Sequence, residues 1–270
     1  MTTQRFSPML TRVWLVAWLL LPTSVSWAQA DAKPQAGQLR VVTYNMRHAL
    51  GTDNQVDLTR VGQVLQRLTP DIVALQEVDR RATRSGGVDQ AAVLGQQLGL
   101  HHAFGSFMDF QGGQYGMAIL SRYPILKSTA LKLPEGNEPR VALTAEIQLP
   151  DGREILVVNV HFDWVRDDRF RWAQAEAVKL HLETWPTPFI LLGDFNDLPE
   201  SRTLKMLGQG LQEAVKPAND RFTFSSINPE IEIDYLFAGP ANRWTIDGVE
   251  VIQERTASDH RPVIANLKLR

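Results

Sequence analysis

The stretch Phe189, Ile190, Leu191, Leu192, Gly193, Asp194, Phe195, Asn196, Asp197, Leu198, Pro199 decides how this chain is read. Four apolar residues in succession suit a strand buried on both faces, and the Gly, Asp and Asn that follow suit a sharp turn at its end. Asp194 and Asn196, two apart on an extended segment, project to one side. One can then orient a water molecule while the other holds it or a substrate oxygen. The same pattern also fits a capped loop, so its meaning depends on what other strand ends supply.

Upstream of this strand, Asp167 to Thr184 is predicted as a helix with Trp172, Ala175, Val178 and Leu182 on one face, stopped by Pro186 and Pro188. Val141 to Leu149 alternates like a half-buried strand, and Asp151 and Gly152 turn it into Glu154 to Val160, a hairpin that exits through Asn159, His161 and Asp163. Nearer the N-terminus, a strand over Leu39 to Tyr44 ends in Asn45 and an amphipathic helix covers Asp57 to Leu68. A strand over Asp71 to Leu75 then runs out into Glu77. A helix over Asp89 to Leu98 is closed by Gly99, and the Gly112 to Gly116 run reads as a turn before the strand Met117 to Leu120. Downstream come a helix near Ser201 to Leu207, a strand around Ile233 to Phe237 and a last strand from Pro262 to Leu269. Hairpins mixed with helical crossovers predict an α/β or α+β domain with mixed sheets.

Residues 1–30 read differently. Arg5 and Arg12 precede an apolar run from Val13 to Leu21, Pro22 breaks it, and Ala28, Gln29, Ala30 form an Ala-x-Ala site, the pattern of a secretory signal. The run is shorter than the ~20 residues a membrane-spanning helix needs. The expected organisation is a signal over 1–30, a linker over 31–38 and one domain over 39–270, with the product exported to the periplasm or the medium. The chain has no cysteine, which excludes disulfides and thiolate zinc ligands. The signal-like segment holds two Arg and no acid, so the net charge falls from −2 for the chain to −4 for the remainder. A nonspecific nucleic-acid grip usually needs a basic face, and this balance counts modestly against one.

The strand ends gather a chemically coherent set: Asn45, Glu77, Asn159, His161, Asp194, Asn196, Asp234, Ser258, Asp259 and His260. Carboxylate and amide oxygens suit a hard cation such as Mg²⁺ or Mn²⁺, and isolated imidazoles beside carboxylates suit proton transfer or stabilisation of negative charge. Taken singly, Asn45 can cap a turn, Asp234 can pair with a surface Arg, and Ser258 with Asp259 can start a turn.

In order along the chain stand Thr43-Tyr44-Asn45, Leu75-Gln76-Glu77, Tyr115-Gly116 leading into Ala118 to Ser121, Asn159-Val160-His161, Gly193-Asp194-Phe195-Asn196, Ile233-Asp234-Tyr235 and Ser258-Asp259-His260. This ordered set resembles the endonuclease/exonuclease/phosphatase superfamily, the DNase I-like proteins, over nearly the whole chain after residue 38. The resemblance implies a four-layer α/β sandwich, two face-to-face mixed β-sheets flanked by helices, with the site at one end. It implies metal ligation by Glu77 with Asn45 and Asp259, and water activation by Asp194 supported by Asn196. His260, oriented by Asp234, and His161 are implied as the imidazoles that meet the phosphate, and Asn159 and Tyr115 as substrate contacts. The cofactor implied is Mg²⁺ or Mn²⁺, and the reaction is in-line water attack at phosphorus without a covalent intermediate.

Substrate is less constrained. Arg81 and Arg84, close after Glu77, can clamp an anionic group bidentately or stand in a solvated loop. Phe162 and Trp164 can stack a base, meet a lipid or pack their own loop. Met117 stands where related bacterial chains often carry a polar residue. Three readings follow: an exported phosphodiesterase or phosphatase acting as a monomer, without an obligate protein partner, on a small or lipid-linked phosphoester; an exported nuclease acting on nucleic acid; and a noncatalytic binding module on the same scaffold, which predicts a broken catalytic position.

Overall fold

The computed structural model describes residues 38–270 and the first two residues. The signal-like segment and the expected linker up to residue 37 lie outside the described residues, and Gln38 already belongs to the first strand. In chain order the elements are β1 (Gln38–Asn45), α1 (Leu58–Leu68), β2 (Ile72–Arg80), α2 (Gln90–Leu98), β3 (His101–Phe110), β4 (Gly113–Ser121), β5 (Ile125–Lys132), β6 (Val141–Gln148), β7 (Glu154–His161), α3 (Arg169–Glu183), β8 (Phe189–Asp194), α4 (Arg202–Leu207), β9 (Gln212–Glu213), β10 (Asp234–Gly239), β11 (Trp244–Val251) and β12 (Val263–Leu269).

Among the described residues twelve strands form two six-stranded sheets, ordered β11-β12-β1-β2-β4-β3 and β5-β6-β7-β8-β10-β9. Of these strands, β1 with β2 and β7 with β8 pair in parallel, and the other pairs among the described residues are antiparallel. Each parallel step requires a crossover, supplied by α1 in the first sheet and α3 in the second. Residues of alternating face from both sheets, such as Val41, Ala74, Met117, Leu143, Val157, Leu192 and Leu236, meet in one buried layer between them. The opposite faces take helices: α1 and α2 bring Val61, Leu65 and Leu94 onto the first sheet, and α3 and α4 bring Val178, Leu182 and Leu204 onto the second. The result is the four-layer α/β sandwich that the family resemblance implies. Asp57, Asp89 and Ser201 cap the starts of α1, α2 and α4 by accepting backbone N–H bonds from residues three further on.

Four departures have physical causes. Strands β3, β5, β9 and β11, none of them anticipated, are the four sheet edges. An edge strand has one neighbour and keeps polar, irregular sequence that discourages pairing with other molecules, so its period-2 signal is weak; β5 is exposed along most of its length and β11 carries a bulge between Asp247 and Glu250. β6 is buried on both faces rather than alternating, because α3 covers the face that small residues such as Ala142 present. The glycine-rich run after Gly112 belongs to β4, where a Cβ on Gly116 would lie 2.0 Å from the Gly105 carbonyl oxygen. On α3 the buried stripe is Arg171, Gln174, Ala175, Val178 and Leu182, while Trp172 is half-buried beneath the Arg202 guanidinium. Met117 belongs to the apolar layer between the sheets, which accounts for its departure from a polar residue.

Candidate active site

β1, β2, β7 and β8 all end, and β10 begins, at one end of the sandwich. There the parallel register sets His161 beside Asp194, and the antiparallel register sets Asp194 beside Asp234. Gly193 permits this. Its φ is +148° and a Cβ would stand 1.9 Å from the Val160 carbonyl oxygen, so no larger residue lets β8 approach β7 at this point. Glu77 depends on a local irregularity instead. The register of β2 against β4 slips between Leu75 and Val78, and Glu77 sits in the slip with a φ of +57°, the kind of bulge that re-aims a side chain.

Asn45 connects the two sheets. It is fully buried, and its Nδ2 donates to Glu77 Oε1 at 3.1 Å and to Asp194 Oδ2 at 3.0 Å. Its Oδ1 accepts from the Arg47 N–H, and its carbonyl accepts from Ser258 Oγ at 2.7 Å, which draws the Ser258-Asp259-His260 turn into place. Asp194 Oδ2 lies 3.5 Å from His161 Nε2 and 3.6 Å from His260 Nε2. His260 Nδ1 donates to Asp234 Oδ2 at 3.0 Å, which fixes Nε2 toward Asp194. Asn196, with a φ of +50°, donates its backbone N–H to Asp194 Oδ1 at 2.9 Å and its Nδ2 to the Phe162 carbonyl, locking the turn.

Burial and charge then set the protonation states. Burial by itself would lower the His260 pKa, but Asp234 and then Asp194 more than offset it and raise the group to about 10. Burial raises the Asp194 pKa to about 7, opposed by the His260 charge and helped by Asp234. His161 is held well below the usual histidine range by burial, then by the positive charges of Arg140 and His260. The site therefore holds one imidazolium, one neutral imidazole and one carboxylate poised to titrate near neutrality.

The donors suit a hard divalent cation. Asp194 and Asp234 bring carboxylate oxygens within 4.8 Å of each other and of the His260 ring, which offers no lone pair while it is protonated, and Asp234 Oδ1 is buried without a hydrogen-bond partner among the described residues. Glu77, less buried and linked through Asn45, adds a carboxylate to the same pocket.

Not every residue singled out in the sequence stands free to meet a ligand. Asn159 donates Nδ2 to the carbonyls of Leu75 and Ala118, both at 2.9 Å, and accepts from Gln76 Nε2 at 2.7 Å. It ties β7 to the first sheet beneath the site. Arg84 donates from Nε and Nη2 to the buried Asp79 carboxylate, 2.8 Å for each, and lies over the rings of Phe110 and Tyr115. Its guanidinium holds a loop rather than facing the cleft. Arg81 is exposed and lines a separate cleft of about 630 Å³ with Arg80, Asp109 and Gln114. Tyr115 is buried against Phe107 and its hydroxyl pKa is raised, first by burial and then by the Glu77 charge. Asp259 is partly exposed and faces Arg47 Nε at 3.3 Å. Phe162 packs inside against Phe195 at 5.4 Å, while Trp164 is 59% exposed. Asp163 fastens the loop before β6, accepting from the Asn137 N–H at 2.6 Å. Sequence reasoning did not reach Arg47 and Arg140: each stands in a loop or turn without periodicity, and only contacts made across the fold give it meaning.

Two mixed sheets packed face to face between helices, with carboxylates, an amide and imidazoles converging at one end, define a DNase I-like α/β protein. Residues 42–260 match the Endonuclease/Exonuclease/phosphatase family, and the chain belongs to that family, whose members are metal-dependent phosphoesterases. It is similar to the protein YbhP of Escherichia coli K12, with 26% identity over 254 residues that cover 87% of this chain and 98% of that one. Among solved structures it is similar to the endonuclease/exonuclease/phosphatase from Beutenbergia cavernae, with a TM-score of 0.75, 24% identity and coverage of 86% of this chain and 72% of that chain. It is also similar to a mannosyl-6-phosphatase of Bacteroides thetaiotaomicron, with a TM-score of 0.71, 22% identity and coverage of 85% and 99%. At these identities the likeness speaks for the fold.

Proposed function

We propose that this chain is an exported, divalent-metal-dependent phosphoester hydrolase, a phosphodiesterase or phosphatase that works as a monomer without an obligate protein partner. The observation that carries the reading is the unbroken chain of contacts from Glu77 through Asn45 to Asp194 and on to His161, His260 and Asp234. No position in that set is replaced by an inert residue, which argues against a noncatalytic binding module.

In the proposed reaction Asp194 accepts a proton from the attacking water, a task suited to a carboxylate whose pKa lies near 7. The water oxygen forms a bond to phosphorus as the bond to the leaving oxygen, on the opposite side, breaks. Asn196 fixes the Asp194 carboxylate, and the His260 imidazolium, held charged by Asp234, donates to a nonbridging oxygen. His161, neutral at pH 7, serves as a hydrogen-bonding partner of the phosphate rather than as a cation. Glu77 and Asn45, with Asp259 beside them, would hold Mg²⁺ or Mn²⁺, which supplies charge neutralisation for the phosphate and the leaving oxygen when bound. A phosphatase activity agrees with the activity named for the Bacteroides protein of similar fold. A second reading, a nuclease that takes a polyanionic strand, would need a basic groove, and the cleft beside β2 sets Arg80 and Arg81 against Asp89 and Asp109.

The test is hydrolysis of bis-p-nitrophenyl phosphate and p-nitrophenyl phosphate by purified protein with Mg²⁺ or Mn²⁺. EDTA and His260→Ala are each expected to lower turnover at least a hundredfold. Activity that survives both would overturn the proposal. A panel of plasmid DNA, RNA, lipid phosphodiesters and sugar phosphates separates the two readings, and cell fractionation checks export.

A further inference from the structure

Arg140 stands immediately before β6, at the rim of the second sheet. Its side chain is only 1% exposed, yet one nitrogen alone has an acidic partner: Nη2 meets Glu138 Oε2 at 3.2 Å. Nε and Nη1 are buried with no hydrogen-bond partner among the described residues. Stranding two donors of a buried guanidinium is costly, and a cation in that state is built to receive an anion. Glu138 is 37% exposed at its side chain and can swing outward, so it is the group an incoming anion would displace.

The surroundings suit a ligand. Arg140 lines a cleft of about 580 Å³ with Ser106, Phe107, Lys132, Glu135 and Gly136. The guanidinium carbon lies 5.1 Å from the centre of the Phe107 ring, and the centre of the His161 ring lies 6.0 Å from that same centre. The cleft thus adjoins the phosphate site but is lined by none of Glu77, Asp194 and His260. The loop that carries Arg140 is pinned to the site from behind. Asp163, two residues past His161, accepts from the Asn137 N–H, and a Cβ on Gly136 would stand 2.4 Å from Asp163 Oδ2. Lys132 is the exposed cation of the cleft, and Glu135 is the acid that also lines it.

We infer that the Arg140 cleft is a substrate subsite for a second anionic group, a phosphate or carboxylate carried on the arm of the phosphoester next to the scissile phosphate. The inference rests on the phosphoester-hydrolase reading and names what distinguishes preferred substrates from generic ones. Arg140 grips the distal anion through Nη2, vacated as Glu138 swings out, and through the neighbouring Nη1 that now lacks a partner, and Lys132 adds charge at the mouth. A guanidinium suits this task because its planar fork matches two oxygens at once.

The experiment uses p-nitrophenyl phosphodiesters whose second arm ends in a methyl, a carboxylate or a phosphate group. The wild-type protein is expected to favour the anionic arms at least tenfold in kcat/KM, mainly through KM. Arg140→Gln should bring that ratio close to one, Arg140→Lys should restore part of it, and Lys132→Glu, an exposed change that does not threaten folding, should reduce it severalfold. Equal kcat/KM for all three arms in the wild type, or an undiminished ratio in Arg140→Gln, would overturn the inference while leaving hydrolysis itself in place. Failure of the hydrolase reading would appear differently, as no turnover of any arm. In that event inorganic pyrophosphate binding by calorimetry decides the subsite: affinity at least tenfold weaker in Arg140→Gln and weaker in Lys132→Glu supports it, and unchanged affinity in both refutes it.

Discussion

Replacing Asp234 by Asn is the sharpest perturbation this site offers, because it removes one charge and keeps the shape of the side chain. In the wild type, burial pulls the His260 pKa down. The Asp234 carboxylate, 3.0 Å from Nδ1, and Asp194, 3.6 Å from Nε2, push it up further, to about 10 from an ordinary 6.5. At about 1.4 kcal/mol per pH unit, that is roughly 5 kcal/mol of preference for the imidazolium, of which Asp234 carries the larger share. With that charge gone, burial is opposed chiefly by Asp194, and His260 in Asp234→Asn should titrate well below the wild-type group. The assay is an NMR titration of the His260 ring in metal-free protein between pH 5 and pH 10.5, paired with turnover at pH 7. The wild-type ring is expected to stay protonated through pH 8, and turnover of the variant should fall on the order of a hundredfold or more. The stability sign follows from a raised folded pKa: the contribution is complete below about pH 6.5 and is lost as pH rises through about 10. The melting temperatures of wild type and variant should therefore lie further apart at pH 6 than at pH 10.5. A wild-type His260 that titrates near 6.5, or a variant in which its titration does not move, would refute the reasoning.

Asn159→Ala removes three hydrogen bonds between the sheets: those to the Leu75 and Ala118 carbonyls and the one from Gln76 Nε2, which keeps Thr43 Oγ1 and the Ala74 carbonyl as partners. A loss of about 2–4 kcal/mol in urea unfolding is expected. Gly193→Ala forces a Cβ to 1.9 Å from the Val160 carbonyl oxygen, so the parallel pair must part beside Asp194; thermal denaturation and turnover should both register a loss of at least ~3 kcal/mol-equivalent stability and most activity. His48 is half-buried with its pKa lowered to about 4, by burial first and then by Arg84. Its contribution to stability is present above pH 6.5 and lost as pH falls through about 4. His48→Asn, which tolerates the φ of +43° there, should flatten the acid limb of the stability curve by on the order of 1 kcal/mol after allowance for partial exposure.

Where the sequence was legible, the physics was local. The helices α1, α2 and α4 follow from apolar spacing and from Asp57, Asp89 and Ser201 at their caps. The central strands follow from runs such as Ile190 to Leu192, because a strand covered on both faces must be apolar throughout. The edge strands were not legible, because solvent on one side dilutes the pattern that burial imposes. Within the site, Asn45, Asp194, Asp234 and His260 could be named because each lies at a strand end or beside one, in a short motif. Arg84 shows the limit of that method: an arginine close after Glu77 invites a substrate role, and its partner turns out to be Asp79.

By itself the amino-acid order determined an α/β domain with mixed sheets and a set of oxygen and imidazole donors fit for phosphoester chemistry. Those conclusions need only periodicity, residue type and sequence order. The tertiary structure decided which donors touch, which way the bulge turns Glu77, that His260 is charged and His161 neutral, and that Arg140 lies buried with donors unmade. These properties depend on distance and burial between residues from different strands, and spacing along a chain carries neither.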